Sequence, residues 1–261
     1  MKLYLSLIMV SILSLVFFIE IAFSQDDRLD ELEFESATIK EEKPPYFAIG
    51  GGYTGTFIFL NFDELNKKLS EQTYSFPKDA FSSPIFLSGV QGFTAIGIIP
   101  NVRLGFLGMG GSKTVEKKDT VINLNKSVEY SLSFQGISID YGIILMKSLA
   151  LIPGITFGWG TRTIEVYQAP SEISWDRFEA IGDINKFLNR AEGNFYFVQP
   201  NVNFEYALTP FFMIRANAGY ALSFGGEWTF NRTSKLINVP SKIDANGFTV
   251  QLGLFLGLFN Y

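Results

Sequence analysis

The chain has 261 residues, no cysteine, no histidine and a formal charge of −5. The missing residue types exclude a disulfide framework, thiolate chemistry, ordinary zinc sites and Ser-His-Asp nucleophile activation. With 27 Phe, 24 Gly and only 18% charged residues, the composition is too apolar for a fully water-exposed surface.

Lys2 supplies a positive n-region, Leu5 to Ile19 an uncharged and mostly apolar h-region, and Ala22-Phe23-Ser24 small residues at the −3 and −1 positions of a cleavage site. Residues 1–24 therefore read as a signal peptide, with Gln25 first in the mature chain. Glu20 is an unusual charge so near the cleavage motif, and the apolar run is short for a retained anchor. No cysteine follows it, so an acylated lipoprotein is excluded. Asp26 to Lys43 holds eight acids and three bases, which is −5 by itself, so the remaining body is close to neutral. That balance gives no reason to expect a nucleic-acid partner. Residues 25–44 are polar, end at Lys43-Pro44, and read as a flexible acidic lead-in. A short helix through Leu29, Leu32 and Phe34 is the alternative there.

Pro44 to Phe62 and Ala80 to Val102 are uncharged for long enough to cross a membrane as helices. Gly50, Gly51, Gly52 and Gly55 in the first, and Pro84, Gly89, Gly92, Gly97 and Pro100 in the second, argue against helix. Further on the period is two. Tyr196, Val198, Pro200, Val202, Phe204, Tyr206 and Leu208 alternate with Phe197, Gln199, Asn201, Asn203, Glu205 and Ala207. Phe212 to Phe224 and Leu149 to Arg162 alternate likewise. Such runs match the ~9–11 residues of a tilted membrane strand. In Val128 to Ile143 the apolar phase changes at Gln135-Gly136, which predicts a β-bulge.

Eight strand segments follow: roughly 45–60, 84–98, 101–112, 125–146, 149–166, 194–208, 211–225 and 246–261. Tight turns join them at Pro100, Lys147-Ser148 and Thr209-Pro210. Long connections lie at 61–83, 113–124, 167–193 and 226–245. Short turns on one side and long loops on the other are the outer-membrane pattern. A soluble lipocalin-like barrel is the competing fold, with its apolar face inside and its polar face outside.

Over residues 45–261 the chain resembles the small eight-stranded outer-membrane barrels, the class of the OmpA transmembrane domain, OmpX and OmpW. The stretch Phe248 to Tyr261 resembles the aromatic-terminated last strand that barrel-assembly machinery recognises, with Tyr261 where Phe usually stands. The resemblance implies an all-β, antiparallel up-and-down transmembrane barrel with short helices in its extracellular loops. It also implies outer-membrane localisation, with outer-membrane lipids and the assembly machinery as partners. Two facings compete on the last strand: Leu252, Leu254, Leu256 and Leu258, or Phe255, Phe259 and Tyr261.

An eight-stranded barrel has an interior that side chains fill. The inward polar set expected from the phase is Arg103, Glu129, Gln135, Asp140, Arg162, Gln199, Asn201, Asn203, Glu205, Arg215 and Asn217. Arg103 with Asp140, and Glu205 with Arg215, flank the short turns and should pair, since a lone buried charge is costly. The set reads as a structural plug or, alternatively, as a gate opened by breaking one pair. In the first long loop, Phe62, Leu65 and Leu69 share a helical face within 61–72, with Asn61 or Asp63 as cap. In the third, Trp175, Phe178, Ile181, Ile184 and Phe187 form an apolar stripe. That stripe either packs as a lid or offers a binding surface for a lipid headgroup, a hydrophobic ligand or a partner protein.

Gly105 to Thr114 superficially evokes a phosphate loop, but Ser112 stands where Gly must precede the Lys-Thr pair. No catalytic residues, cofactor or metal are expected. The first functional expectation is a non-enzymatic barrel with an envelope or loop-mediated binding or adhesion role. The second is a narrow passage or binding protein for small hydrophobic molecules, resembling the OmpW type. Carboxylate-only catalysis is a distant third, because no close acid pair stands out.

Overall fold

The computed structural model of the chain describes residues 46–71, 75–119, 123–172 and 187–260. The segments expected as a signal peptide (1–24) and an acidic lead-in (25–44), and Tyr261, lie outside the described residues. So do Trp175, Phe178, Ile181 and Ile184.

The strands are β1 (Phe47–Leu60), β2 (Ile85–Ala95), β3 (Val102–Asp119), β4 (Leu124–Tyr141), β5 (Ile143–Met146), β6 (Leu149–Pro170), β7 (Phe187–Thr209), β8 (Phe212–Phe224), β9 (Trp228–Phe230), β10 (Ser234–Leu236) and β11 (Gly247–Asn260). Among the described residues one helix, α1 (Asp63–Leu69), follows β1. Eight strands form a closed antiparallel ring in the order β1, β2, β3, β4, β6, β7, β8, β11, back to β1. β5 prolongs the β4 edge after Gly142 and pairs with β6, while β9 and β10 form a hairpin seated on β7. No described helix is long and apolar enough to cross a membrane; the strands do the crossing.

The period-two alternation sorts the side chains. On β11, Leu252, Leu254, Leu256 and Leu258 point out, and Phe255 and Phe259 point in. The outward surface around the ring is apolar: Ile49, Phe57, Val90, Phe106, Ile137, Phe157, Phe204 and Tyr220 are all exposed. A soluble barrel would hide these side chains, so the lipocalin-like alternative fails. The twelve steps from Tyr196 to Leu208 on β7 rise about 40 Å along the strand, or about 28 Å along the normal at a tilt of about 45°. That matches the apolar band of about 25 Å that outer-membrane barrels present. Aromatic rings edge the band. Phe57 meets Phe86 at 5.3 Å, Phe59 meets Phe248 at 6.3 Å and Tyr196 meets Phe224 at 6.4 Å on the loop side. Tyr141, Tyr206 and Phe211 are exposed near the short turns.

The ring is uneven in height. β3, β4, β6 and β7 have 18, 18, 22 and 23 residues, whereas β1, β2, β8 and β11 have 14, 11, 13 and 14. The four long strands rise past the aromatic edge as a curved wall. Two connections expected as loops are therefore partly strand. β3 and β4 pair from Val102–Tyr141 up to Asp119–Leu124, and β6 and β7 pair up to Gln168–Phe187. Above the membrane both faces of these strands meet polar surroundings or the plug, so the apolar alternation that marks a membrane strand disappears while the ladder continues.

The bulge expected at Gln135-Gly136 is absent. β4 keeps one register with β3 and with β6 through both residues. Its even positions face inward from Leu124 to Asp140. What changes at Gly136 is the surroundings. Below it the lipid side must be apolar, so Ile137, Ile139 and Tyr141 lie outside. Above it the wall packs inward on the plug, so Val128, Tyr130, Leu132 and Phe134 lie inside. Gly136 serves a close approach instead: a Cβ there would lie 3.2 Å from the Phe197 ring, and one at Gly158 2.7 Å from it. Register shifts occur at Ile144–Met146 and Ala207–Thr209, beside the short turns.

α1 folds into the loop-side mouth. Its cap position is Phe62, and Asn61 Oδ1 accepts from the Asp63 N–H at 2.8 Å. Leu65 and Leu69 are buried, and Asn66 clamps the following loop by accepting from the Phe81 N–H and donating to the Phe81 carbonyl, both at 2.8 Å.

Leu254 sits at mid-height on the lipid face, paired with Tyr53 and Ile214. L254R is expected to lower folding stability by about 2–4 kcal/mol. Denaturant titration of folding into lipid vesicles measures this, and an unchanged midpoint would contradict the outward facing of Leu254.

Candidate functional site

The lumen is the first candidate site, and β7 reads through all its tiers. Its inward residues run Glu205, Asn203, Asn201, Gln199, Phe197, Phe195 from the short-turn end to the loop end.

The lowest tier is a neutral charge cluster centred on Glu205, which is fully buried. Its Oε1 accepts from Arg103 Nη1 at 2.6 Å and from Arg215 Nε at 2.8 Å. Arg215 Nη2 is 2.7 Å from the same oxygen, as an ion-pair contact without hydrogen-bond geometry. Its Oε2 accepts from the Tyr46 hydroxyl at 2.9 Å. Arg103 also donates through Nε to Asp140 Oδ2 at 2.9 Å and through Nη1 to the Tyr46 oxygen at 2.9 Å. The two guanidinium carbons each lie 4.4 Å from the Phe93 ring centre, and that of Arg215 lies 4.0 Å from Phe255. Two arginines and two acids cancel, and ring faces take the remaining surface of the cations. Both charge pairs sit directly across from each other on neighbouring strands, Arg103 opposite Asp140 and Glu205 opposite Arg215.

The middle tier is a net of amides and hydroxyls. Asn217 donates to Asn203 (2.8 Å) and Asn201 (3.2 Å), and Asn201 donates to Thr156 (3.2 Å). Gln199 donates to Thr249 (2.9 Å) and Gln251 to Thr56 (2.8 Å), while Gln91 joins the tiers by accepting from Arg215 (3.1 Å) and donating to Gln251 (3.1 Å). The cavity within this tier is about 30 Å³, room for about one water molecule.

The top tier is aromatic. Phe134 stands edge-on to Phe197 at 5.0 Å and to Phe195 at 5.3 Å, and Phe62 edge-on to Tyr130 at 5.3 Å. With Leu65, Leu69, Phe76 and Phe81 these residues form one buried cluster.

The expected inward set is thus divided. Arg103, Asp140, Glu205, Arg215, Gln199, Asn201, Asn203 and Asn217 meet in the two lower tiers. Arg162 is inward but higher, and has neither a hydrogen bond nor an ion pair among the described residues. Glu129 and Gln135 are corrected: both face out. Glu129 accepts from Ser131 at 2.9 Å on the outer side of the raised wall, where Arg190 also bridges Glu165 (2.9 Å) and Glu192 (2.7 Å). The error follows from carrying the membrane-level facing upward past the point where the apolar side changes. Phe187, expected in the third-loop stripe, is a half-buried residue of β7 paired with Gln168.

Several site residues were missed. Gln91 and Gln251 occupy inward positions that phase counting alone would have found. Tyr46 precedes the first strand and carries no signal; its role depends on the ring closing around it. Trp228 lies on the fourth loop, whose hairpin has no apolar alternation. On that hairpin Lys235 donates to Glu227 at 2.8 Å and holds the Glu227 carboxyl below its usual range. Both groups are exposed, so the pair contributes little.

Among the described residues no group of three or more acids, histidines or cysteines could hold a metal ion.

A closed eight-stranded ring with a lipid-facing belt, aromatic edges and a polar filled interior defines a small outer-membrane β-barrel protein. No family model matches the sequence, and no curated protein matches it. Solved structures share the barrel. Ail, the attachment invasion locus protein of Yersinia pestis, solved with the heparin analogue sucrose octasulfate, is 12% identical, covering 82% of this chain and 99% of its own, with a TM-score of 0.37. Neisserial surface protein A is 10% identical over 81% of this chain and 96% of its own, at 0.40. A major outer membrane protein of Thermus thermophilus is 10% identical over 81% and 99%, at 0.45. At these values the likenesses carry nothing about function; the barrel stands on its own strand pairing.

E205Q leaves two buried guanidiniums facing a neutral amide. It is expected to cost about 3–5 kcal/mol of stability, against about 1–2 kcal/mol for Y46F, which removes one buried hydroxyl donor. Urea titration of both variants in the same vesicles gives the comparison, and equal losses would remove Glu205 from the centre of the cluster.

Proposed function

We propose that the protein is a non-enzymatic outer-membrane barrel that acts through the structure it raises above the membrane rather than by passage through its lumen. The observation that carries this reading is the filled interior. Charge cluster, amide net and aromatic plug follow one another along β7, and the middle tier holds a cavity of only about 30 Å³. The absence of any histidine or cysteine from the chain removes the usual activated nucleophiles and bases, which supports a binding or structural role. The raised wall offers charged and polar side chains outward and supports α1 and the β9–β10 hairpin at its top. Planar-bilayer recording of the purified protein tests the reading. No unitary current is expected from wild type, and discrete, reproducible conductance steps would overturn it.

A second reading has its own observation. An apolar cavity of about 250 Å³ lies at the top of the barrel between α1, the inner face of the raised wall and the fourth loop. Leu65 and Leu69 contribute from α1, Ile164 and Val166 from β6, Trp228 from β9, and Val239 and Ile243 from the loop. This cavity fits a small hydrophobic molecule. Its described lining lies on the fourth-loop side; Trp175, Phe178, Ile181 and Ile184 of the stripe expected to line such a pocket lie outside the described residues.

A further inference from the structure

Arg162 stands apart from the other inward-facing guanidiniums. Arg103 and Arg215 both lie against Glu205. Arg162 is only 6% exposed, its Nε has no hydrogen-bond partner, and no acid among the described residues is within ion-pair distance. The carboxylate whose charge reaches it, Asp244, accepts instead from the Asn246 N–H at 3.0 Å and from Asn246 Nδ2 at 2.7 Å. Arg162 is held by ring faces, with its guanidinium carbon 4.7 Å from the Trp228 ring centre and 5.6 Å from that of Phe195. Rings attract a cation without neutralising it, and an uncompensated buried charge is unfavourable.

The apolar cavity begins one position higher. The next inward residue on β6 is Ile164, about 7 Å up the strand. Ile164 and Val166 line the cavity with Leu69, Trp228, Val239 and Ile243. Trp228 belongs to both features, since it lines the cavity and carries the Arg162 guanidinium.

We propose that this cavity binds a small anionic amphiphile of the short-chain carboxylate class, with its apolar body in the cavity and its charged end on Arg162. The proposal rests on the apolar-ligand reading of the cavity and adds the charge. An apolar cavity by itself accepts any hydrophobic molecule of suitable size. A guanidinium that has no acid partner among the described residues and stacks on the Trp228 ring lining the cavity favours one with a negative terminus, because a carboxylate can take a charge-assisted, two-pronged hydrogen bond from it. The volume of about 250 Å³ is room for roughly eight water-sized groups, the scale of a short alkyl chain.

Protein with labelled Ile and Val methyls, in lipid nanodiscs, is titrated with octanoate and, separately, with octanol, which has the same chain and no charge. Both are expected to shift the Ile164, Val166 and Ile243 methyl resonances, octanoate at about tenfold lower concentration. R162Q should bind the two alike, with its affinity for octanol unchanged, and R162K should keep part of the preference. L69W, which fills the cavity and leaves Arg162 in place, should lose both ligands. If neither molecule moves these methyls in wild type, the apolar-ligand reading fails and the proposal with it. If wild type binds both equally, or R162Q keeps the preference, the apolar reading survives and the anionic one is overturned. The wild-type comparison is decisive even without a folded R162Q. R162Q is nevertheless expected to keep its heat-modifiable gel mobility, because it removes a buried charge that has no acid partner among the described residues.

Discussion

Inside a bilayer no water is available to a backbone N–H or C=O left at the edge of a sheet, so a spanning sheet must close on itself. Here the seam is β1 against β11, paired without a break from Phe47–Asn260 to Leu60–Gly247. Closure with only eight strands leaves an interior about as wide as the side chains that fill it. Every second residue of every strand then points into that space. The wall cannot be built without also deciding what packs inside it, and the three tiers are consequences of the ring.

The tiers differ because each meets different surroundings. At the short-turn end the interior is polar, and Glu205 gathers Arg103, Arg215 and Tyr46 on its two oxygens. Sharing one carboxylate between two guanidiniums would leave a positive excess; Asp140 on Arg103 restores neutrality. The amides above carry no charge and satisfy one another, which suits a level where lipid surrounds the barrel and no counter-ion can approach. At the loop end the plug is aromatic, because α1 and its loop supply apolar side chains that must be covered. Gly136, Gly158 and Gly160 keep the wall thin there, so that Phe195 and Phe197 can lie across it.

A filled lumen and a lopsided rim direct attention to the same place. Four strands continue beyond the membrane for no reason that crossing requires, and their inner face carries the plug, the apolar cavity and Arg162. The lower clusters have their charges matched, whereas among the described residues Arg162 rests on rings. A structure built for stability alone would match that charge as well. The contrast is between Glu205, saturated by its partners, and Arg162, which has no acid partner among the described residues.

The alternation of Tyr196 to Leu208, the tight turns at Lys147-Ser148 and Thr209-Pro210, and the opposition of Glu205 to Arg215 are local facts, legible from the residues alone: period two is a property of any strand, and two residues flanking a short turn must face each other. So is the helical face of Phe62, Leu65 and Leu69. The residues alone could not determine which side of β4 is the inside above Gly136, since that depends on where the membrane ends and the plug begins. For the same reason Glu129 reads as a lumen residue and is not one, and the long strands read as loops where their apolar alternation stops. On β11 the leucine and phenylalanine runs compete, but Thr249 and Gln251 share the phenylalanine face and mark it as the inward one, which the seam with β1 bears out. Tyr46 and Trp228 entered their sites through contacts between residues far apart in the chain, such as Tyr46 with Glu205, and only ring closure brings those together.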